Sequence, residues 1–298
     1  MGYKNLFSID AVDGLWEEIR SLRQGECRNA DRVLKKLVQG VSLDQPIYRI
    51  MSLSRFRDSV QRTRLAFVYP SKWDDPIEAS LLYGMQLRHH DEDLACSYEY
   101  AIVGQCWSLE KECDGLWRVY SNHANQGPVR TCYVQVQTTV RNLMLSILCQ
   151  REQEENSGIL LGGAVVYKPT EAIMSQIRTL EVSGFYEHAN GISAKPHEVA
   201  EAYFVKRASF AYEKEVRFVF IRGRYLEEDR FEIRHDSVYG GMLDLAYNPK
   251  CIERVVIDPW TSCSDDAETL RREIAAEVPL AKVELSDLYQ KYIGRRGV

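Results

Sequence analysis

The spacing of apolar residues divides the chain into short segments of helical and strand period. Leu15, Trp16, Ile19 and Leu22, and then Val33, Leu34, Leu37 and Val38, recur three and four apart, which predicts two opening helices. Residues 45–50 then read as a short strand, and Ser52 stands where a helix N-cap belongs. Residues 65–69 have strand length and stop at Pro70, after which Ser71, Asp74, Asp75 and Pro76 supply the side chains of a turn. Further strands are predicted over 102–107, 133–137 and 159–167, and helices over 140–150 and 170–180. Between 183 and 196 the chain turns to Gly, His, Asn and Pro and reads as an irregular connection. The clearest strand region is 208–221, with Val216, Phe218 and Phe220 on one face and Glu213, Glu215 and Arg217 on the other. A strand over 254–258, a helix over 265–277 and a strand over 282–285 close the chain.

No internal repeat, low-complexity tract or Ser/Gly linker interrupts this order. The pattern predicts a single α+β domain over residues 46–298, preceded by an N-terminal helical extension over 1–45. Hydrophobic residues make up 45% and charged residues 27% of the 298, a globular composition that excludes disordered and fibrous classes. The net charge of −5 argues against a general electrostatic grip on nucleic acid and leaves room for a local basic patch. The chain has no apolar run of about 18 residues, and its start lacks the charged-then-apolar order of a signal peptide. The expectation is a cytoplasmic protein with no membrane partner.

Eight cysteines are scattered without a C-x-x-C, which reads as small buried hydrophobes. Cys106 and Cys113 with His123 come nearest to a ligand set, but a spacing of seven is not that of a zinc finger, so no metal is expected. His89-His90, beside Asp91, Glu92 and Asp93, reads as a solvated loop. No G-x-G-x-x-G, P-loop or G-x-S-x-G motif occurs.

Three clusters carry candidate chemistry. In Tyr212-Glu213-Lys214-Glu215-Val216-Arg217, strand period puts two carboxylates and a guanidinium on one side. Such carboxylates can divide roles, one polarising a hydroxyl and one abstracting a proton, while Arg217 holds one ionised; the alternative is an exposed strand face of alternating charges. In the second cluster, Trp107-Ser108 with Trp117, Tyr120 and His123 either lines a pocket for a flat ring or packs the core. In the third, Arg49, following Tyr48 at a strand end, either grips a phosphate or carboxylate or forms a surface ion pair.

The order of these motifs resembles a bacterial family labelled domain of unknown function 2971, over roughly residues 46–260. The anchors are Ile47-Tyr48-Arg49, the segment from Phe67 to Pro76, Cys106-Trp107-Ser108, Leu116-Trp117 with Tyr120, and Tyr212 to Arg217. Where that family has Ser-His before the tyrosine, this chain has Arg118-Val119. A more distant resemblance is to ADP-ribosyltransferases, in the order arginine, serine, Glu-x-Glu. It implies a mixed, mostly antiparallel central sheet of that superfamily's split form, with flanking helices. It also implies NAD as substrate, with ADP-ribose passed to a protein or nucleic-acid acceptor or NAD hydrolysed, in bacterial defence or toxin biology. Residue by residue, the resemblance implies Arg49 on a phosphate, Ser71 at the nicotinamide ribose, Glu215 on the oxocarbenium-like state and Glu213 orienting the acceptor. Tyr48, Trp107, Ser108, Trp117, Tyr120, Lys206, Tyr212 and Arg217 would complete the NAD contacts. Two other classes stay open: a non-catalytic nucleotide-binding sensor, and a metal-dependent nuclease using Glu213, Glu215 and Asp74 or Asp75.

Overall fold

The computed structural model describes residues 16–23, 29–73, 75, 77, 102–121, 131–150, 157–175, 202–225, 231–233 and 241–289. The expectations for Asp74, His89-His90, His123, Cys27, Cys96 and 183–196 lie outside them. In chain order the elements begin with α1 (Trp16–Arg23), α2 (Ala30–Leu37), β1 (Val38–Gln39), β2 (Pro46–Ser52), α3 (Leu53–Arg62), β3 (Arg64–Val68) and β4 (Ile102–Ser108). Then follow α4 (Asp114–Tyr120), β5 (Tyr133–Thr139), α5 (Val140–Leu148), β6 (Gly158–Ala164), β7 (Val166–Lys168) and β8 (Val205–Arg207). The last are β9 (Glu215–Tyr225), β10 (Phe231–Ile233), β11 (Met242–Ala246), β12 (Arg254–Ile257), α6 (Ala267–Glu277) and β13 (Lys282–Leu285). The expected helix at 170 is present over 170–175, where its described part ends.

The chain divides into two compact units. The first comprises Met1–Leu43, Ala66–Cys106 and Leu148–Leu245; the second comprises Asp44–Leu65, Trp107–Ile147 and Ala246–Val298. Antiparallel pairing predominates: β6–β9, β9–β10, β3–β4, β2–β4, β2–β5 and β5–β12 are antiparallel, whereas β1–β6, β7–β8 and β12–β13 are parallel. The fold is therefore a mixed, mostly antiparallel α+β architecture, as the sequence predicts.

In the first unit, Ala30, Val33, Leu34 and Leu37 form one buried stripe of α2, and the chain runs from that helix straight into β1. There Val38 pairs with Gly162, so the opening helices lead into the sheet that carries β6 and β9. Ile159, Leu160 and Leu161 of β6 and Val216 to Ile221 of β9 are buried without alternation. Both faces of these strands are covered, and a period-2 sequence pattern does not reveal that.

The strand expected over 208–221 starts later than its alternation predicts. Residues 208–213 are a 3-10 helix, not strand, and β9 begins only at Glu215. Phe210 and Tyr212 imitate strand alternation, but Lys214 takes φ 43°, a left-handed conformation that ends the turn and redirects the backbone. The cysteine reading also changes: none of the six described cysteines is disulfide-bonded, Cys113 is exposed and the other five are half-buried.

In the second unit, β5 pairs along its whole length with β2, from Pro46 opposite Thr139 to Ser52 opposite Tyr133, and with β12 on its other side. Ser52 then caps α3 by accepting the Arg55 amide, as its position predicts. In the same unit the buried Thr138 hydroxyl donates to the Cys251 carbonyl at 2.6 Å. Asp258, fully buried at the end of β12, accepts the amides of Tyr133, Trp260 and Thr261 and the Thr261 hydroxyl, at 2.7 to 3.0 Å.

Asp258→Ala strips three half-buried amides of their acceptor. The expected loss is about 3 kcal/mol, read as a lower urea midpoint with an unchanged slope.

Candidate active site

Within the first unit, β7, β8, the 3-10 turn and the start of β9 converge on one group of charges. Tyr167 pairs in register with Lys206, and its hydroxyl accepts the Glu215 amide at 2.7 Å. The Glu215 carbonyl in turn accepts the Val165 amide at 2.9 Å. The left-handed Lys214 lets Glu213, last residue of the turn, and Glu215, first residue of the strand, approach the same ammonium. Lys206 Nζ lies 2.7 Å from Glu213 Oε2 and 3.0 Å from Glu215 Oε2.

Arg217 completes the group. Its Nε donates to Glu215 Oε1 at 2.7 Å and its Nη2 to Oε2 at 3.1 Å, a two-pronged grip matched to carboxylate geometry. Its Nη1 donates to the Tyr203 carbonyl at 2.7 Å, and the guanidinium lies 4.4 Å above the Trp73 ring. Trp73 meets Tyr203 edge-to-face at 6.2 Å. Gly104 of β4 gives that indole its place, since a Cβ there would stand 2.6 Å from the ring.

The side chains of Lys206, Glu213, Glu215 and Arg217 are 11%, 6%, 3% and 1% exposed. This rules out the reading of an exposed strand face with alternating charge. Burial alone would raise the Glu215 pKa. The opposing Arg217 charge and hydrogen bonds, with Lys206 and the Cys106 thiol, outweigh it and hold the carboxyl down at about 2. Glu215 is thus a fixed anion: a general base works best with a pKa near the operating pH, which this group does not have. Burial pushes the neighbouring Tyr167 hydroxyl up to about 12 and keeps it neutral.

The structure brings together Glu213, Glu215, Lys206 and Arg217. Tyr212 is 54% exposed at the edge of this group, its ring 6.5 Å from that of Phe210. Ser71 lies in the 3-10 turn Pro70–Lys72 of the same unit. Tyr48, Arg49, Trp107, Ser108, Trp117 and Tyr120 belong to the second unit. There Tyr48 and Arg49, being consecutive in β2, stand on opposite faces, and Ser108 pairs with Tyr48. Trp107 and Trp117 are buried, and the Trp117 indole N–H donates to Glu112; Tyr120 is exposed. Trp73, Tyr167, Tyr203 and Cys106 join the charge group without having been singled out for it. Of these, Trp73 and Cys106 lie in segments that carry the family resemblance, whereas Tyr167 and Tyr203 carried no signal. Among the described residues no group of three His, Cys, Asp or Glu is arranged to hold a metal ion, and no helix is long and apolar enough to cross a membrane.

Residues 116–218 match the model of a family described as "Protein of unknown function (DUF2971)", the family the motif order resembles. The match takes in Trp117, Tyr120, Lys206, Tyr212, Glu213, Glu215 and Arg217, and stops short of Tyr48, Arg49, Ser71, Trp107 and Ser108. No curated protein matches the chain. Among solved structures, DarT of Thermus sp. 2.9 in complex with ADP-ribosylated ssDNA aligns at TM-score 0.33 and 10% identity, over 83% of this chain and 97% of that one. The same protein in complex with NAD+ aligns at TM-score 0.32 and 10% identity, over 82% and 96%. Likeness at this level assigns neither fold nor activity.

Two measurements test this electrostatic picture. The Glu215 carboxyl titrates near 2 when folded against 4.5 ordinarily, so its contribution, about 3 kcal/mol, is present above pH 4.5 and lost as pH falls toward 2. Glu215→Gln is therefore less stable than wild type at pH 7, and the gap in urea midpoints narrows as the pH drops through that window. Gly104→Ala, by displacing Trp73 from Arg217, costs about 1–3 kcal/mol and raises the pH at which the Glu215 carboxyl titrates in 13C NMR.

Proposed function

We propose that this chain is an NAD-consuming enzyme of ADP-ribosyltransferase type, passing ADP-ribose to a macromolecular acceptor or to water. The observation that carries the reading is the Glu215 carboxylate, kept ionised in a buried setting by Arg217 and Lys206. Cleaving an N-glycosidic bond builds positive charge on the ribose, and a preplaced anion in a water-poor site stabilises that charge without reorganising. Stability alone gives weak reason for such a cluster, because buried ion groups replaced by apolar ones of similar volume often cost nothing. Glu213, on the same ammonium, is placed to orient the acceptor.

In this reading Tyr212, exposed beside Glu213, stands at the acceptor side. The metal-dependent nuclease has less support, since both carboxylates already serve cations of the protein.

Nicotinamide release from NAD is the direct test. Because Glu215 is bound into the ion cluster, Glu215→Gln is compared with wild type at pH 7 per folded molecule, with the folded fraction read by circular dichroism. Release is expected to fall on the order of 10²–10³-fold while NAD binding persists. Equal rates in the two proteins discard the transferase, and binding without turnover in wild type favours a nucleotide sensor.

A further inference from the structure

We infer that Lys206 is a positioning residue of the proposed transferase: its ammonium draws Glu213 and Glu215 together as a pair of anions, one for the ribose and one for the acceptor. The inference rests on the transferase reading for its consequence and on geometry for its substance. Residues two apart on an uninterrupted strand are about 7 Å apart. Here the left-handed Lys214 breaks the strand, and Lys206 Nζ binds one oxygen of each carboxylate, at 2.7 and 3.0 Å. Two carboxylates that close disfavour each other's ionisation unless a cation lies between them.

Arg217 has further duties: two of its nitrogens serve Glu215 and the third donates to the Tyr203 carbonyl. Lys206 is itself held: its strand pairs in register with Tyr167, whose hydroxyl fixes the Glu215 amide, and its ammonium lies 4.8 Å over the Phe210 ring. The charged and titratable groups around it are Glu215 and Arg217 of β9, Glu213 and Tyr212 of the 3-10 turn, Tyr167 of β7 and Cys106 of β4. The next residue, Arg207, is engaged by Asp75 at 2.9 Å and is turned to a different partner. Lys206 thus acts on the carboxylates and not on the reacting atoms.

The test separates charge from packing. Lys206→Gln keeps an N–H donor and removes the charge; Lys206→Arg restores it. For Lys206→Gln, kcat for nicotinamide release is expected to fall on the order of 10²-fold with the KM for NAD within about threefold of wild type. The acid limb of the pH–kcat profile moves up by about one unit or more, because the unscreened pair now holds a proton. Lys206→Arg recovers most of the rate and the original limb. A purely structural lysine would lower the folded fraction and leave kcat per folded molecule and the acid limb unchanged, and that result overturns the inference. A 13C titration of the Glu215 carboxyl, whose ionisation Lys206 supports, gives a readout free of turnover. An upward move in Lys206→Gln supports the charge clamp even if wild type releases no nicotinamide, a result that sinks the transferase instead. Identical titrations in the two proteins overturn the clamp.

Discussion

A charge taken out of water must be met by an opposite charge and by hydrogen bonds, or it does not stay charged. That constraint organises the first unit around β9. Glu215 and Arg217 are buried side by side, and each demands its partners. Arg217 takes the Glu215 carboxylate, the Tyr203 carbonyl and the Trp73 ring face; Trp73 in turn needs a residue without Cβ at 104. Lys206 adds the second cation and ties in Glu213. The chain of requirements runs from a glycine on one strand to the protonation state of a carboxylate on another.

Much of the secondary structure was legible because period and punctuation agreed. Ser52 as N-cap, Pro70 as stop and the closing strand–helix–strand all fall where local chemistry puts them. The segment 208–213 was not legible, since Phe210 and Tyr212 carry a period-2 signal through a stretch whose backbone is helical. A left-handed lysine leaves no mark in a hydrophobic pattern; glycine or asparagine would have. The same break hid the nature of the site. Read as strand, Glu213 and Glu215 are neighbours on a face; folded, they share an ammonium that comes from a separate element.

The site was legible only where its parts are close in sequence. Glu213, Glu215 and Arg217 announce themselves by spacing, whereas Tyr167, Tyr203 and Trp73 arrive from segments distant in the chain. Burial was the other missing quantity. Alternating Glu, Lys and Arg reads equally as a solvated face, and only the covering of both sides of β9 turns those charges into a buried network. In the second unit, Tyr48 and Arg49 are consecutive in β2, and strand geometry sends them to opposite faces.

The division of labour between the two carboxylates follows from how each is held. Glu215 has both oxygens engaged by Arg217, a hydrogen bond to Cys106 and a share of Lys206, and its carboxyl rests near 2. A group so stabilised as an anion is a poor proton acceptor, because accepting a proton forfeits every one of those interactions. In the transferase we propose, its use is electrostatic, against a cation that appears and disappears during reaction. Glu213 accepts from the Lys206 ammonium and stands at the end of a turn whose neighbour, Tyr212, is open to solvent. In that proposed reaction the acceptor side falls to Glu213 and the fixed charge to Glu215. The Lys206 ammonium binds both, so one short segment of chain presents the two carboxylates together.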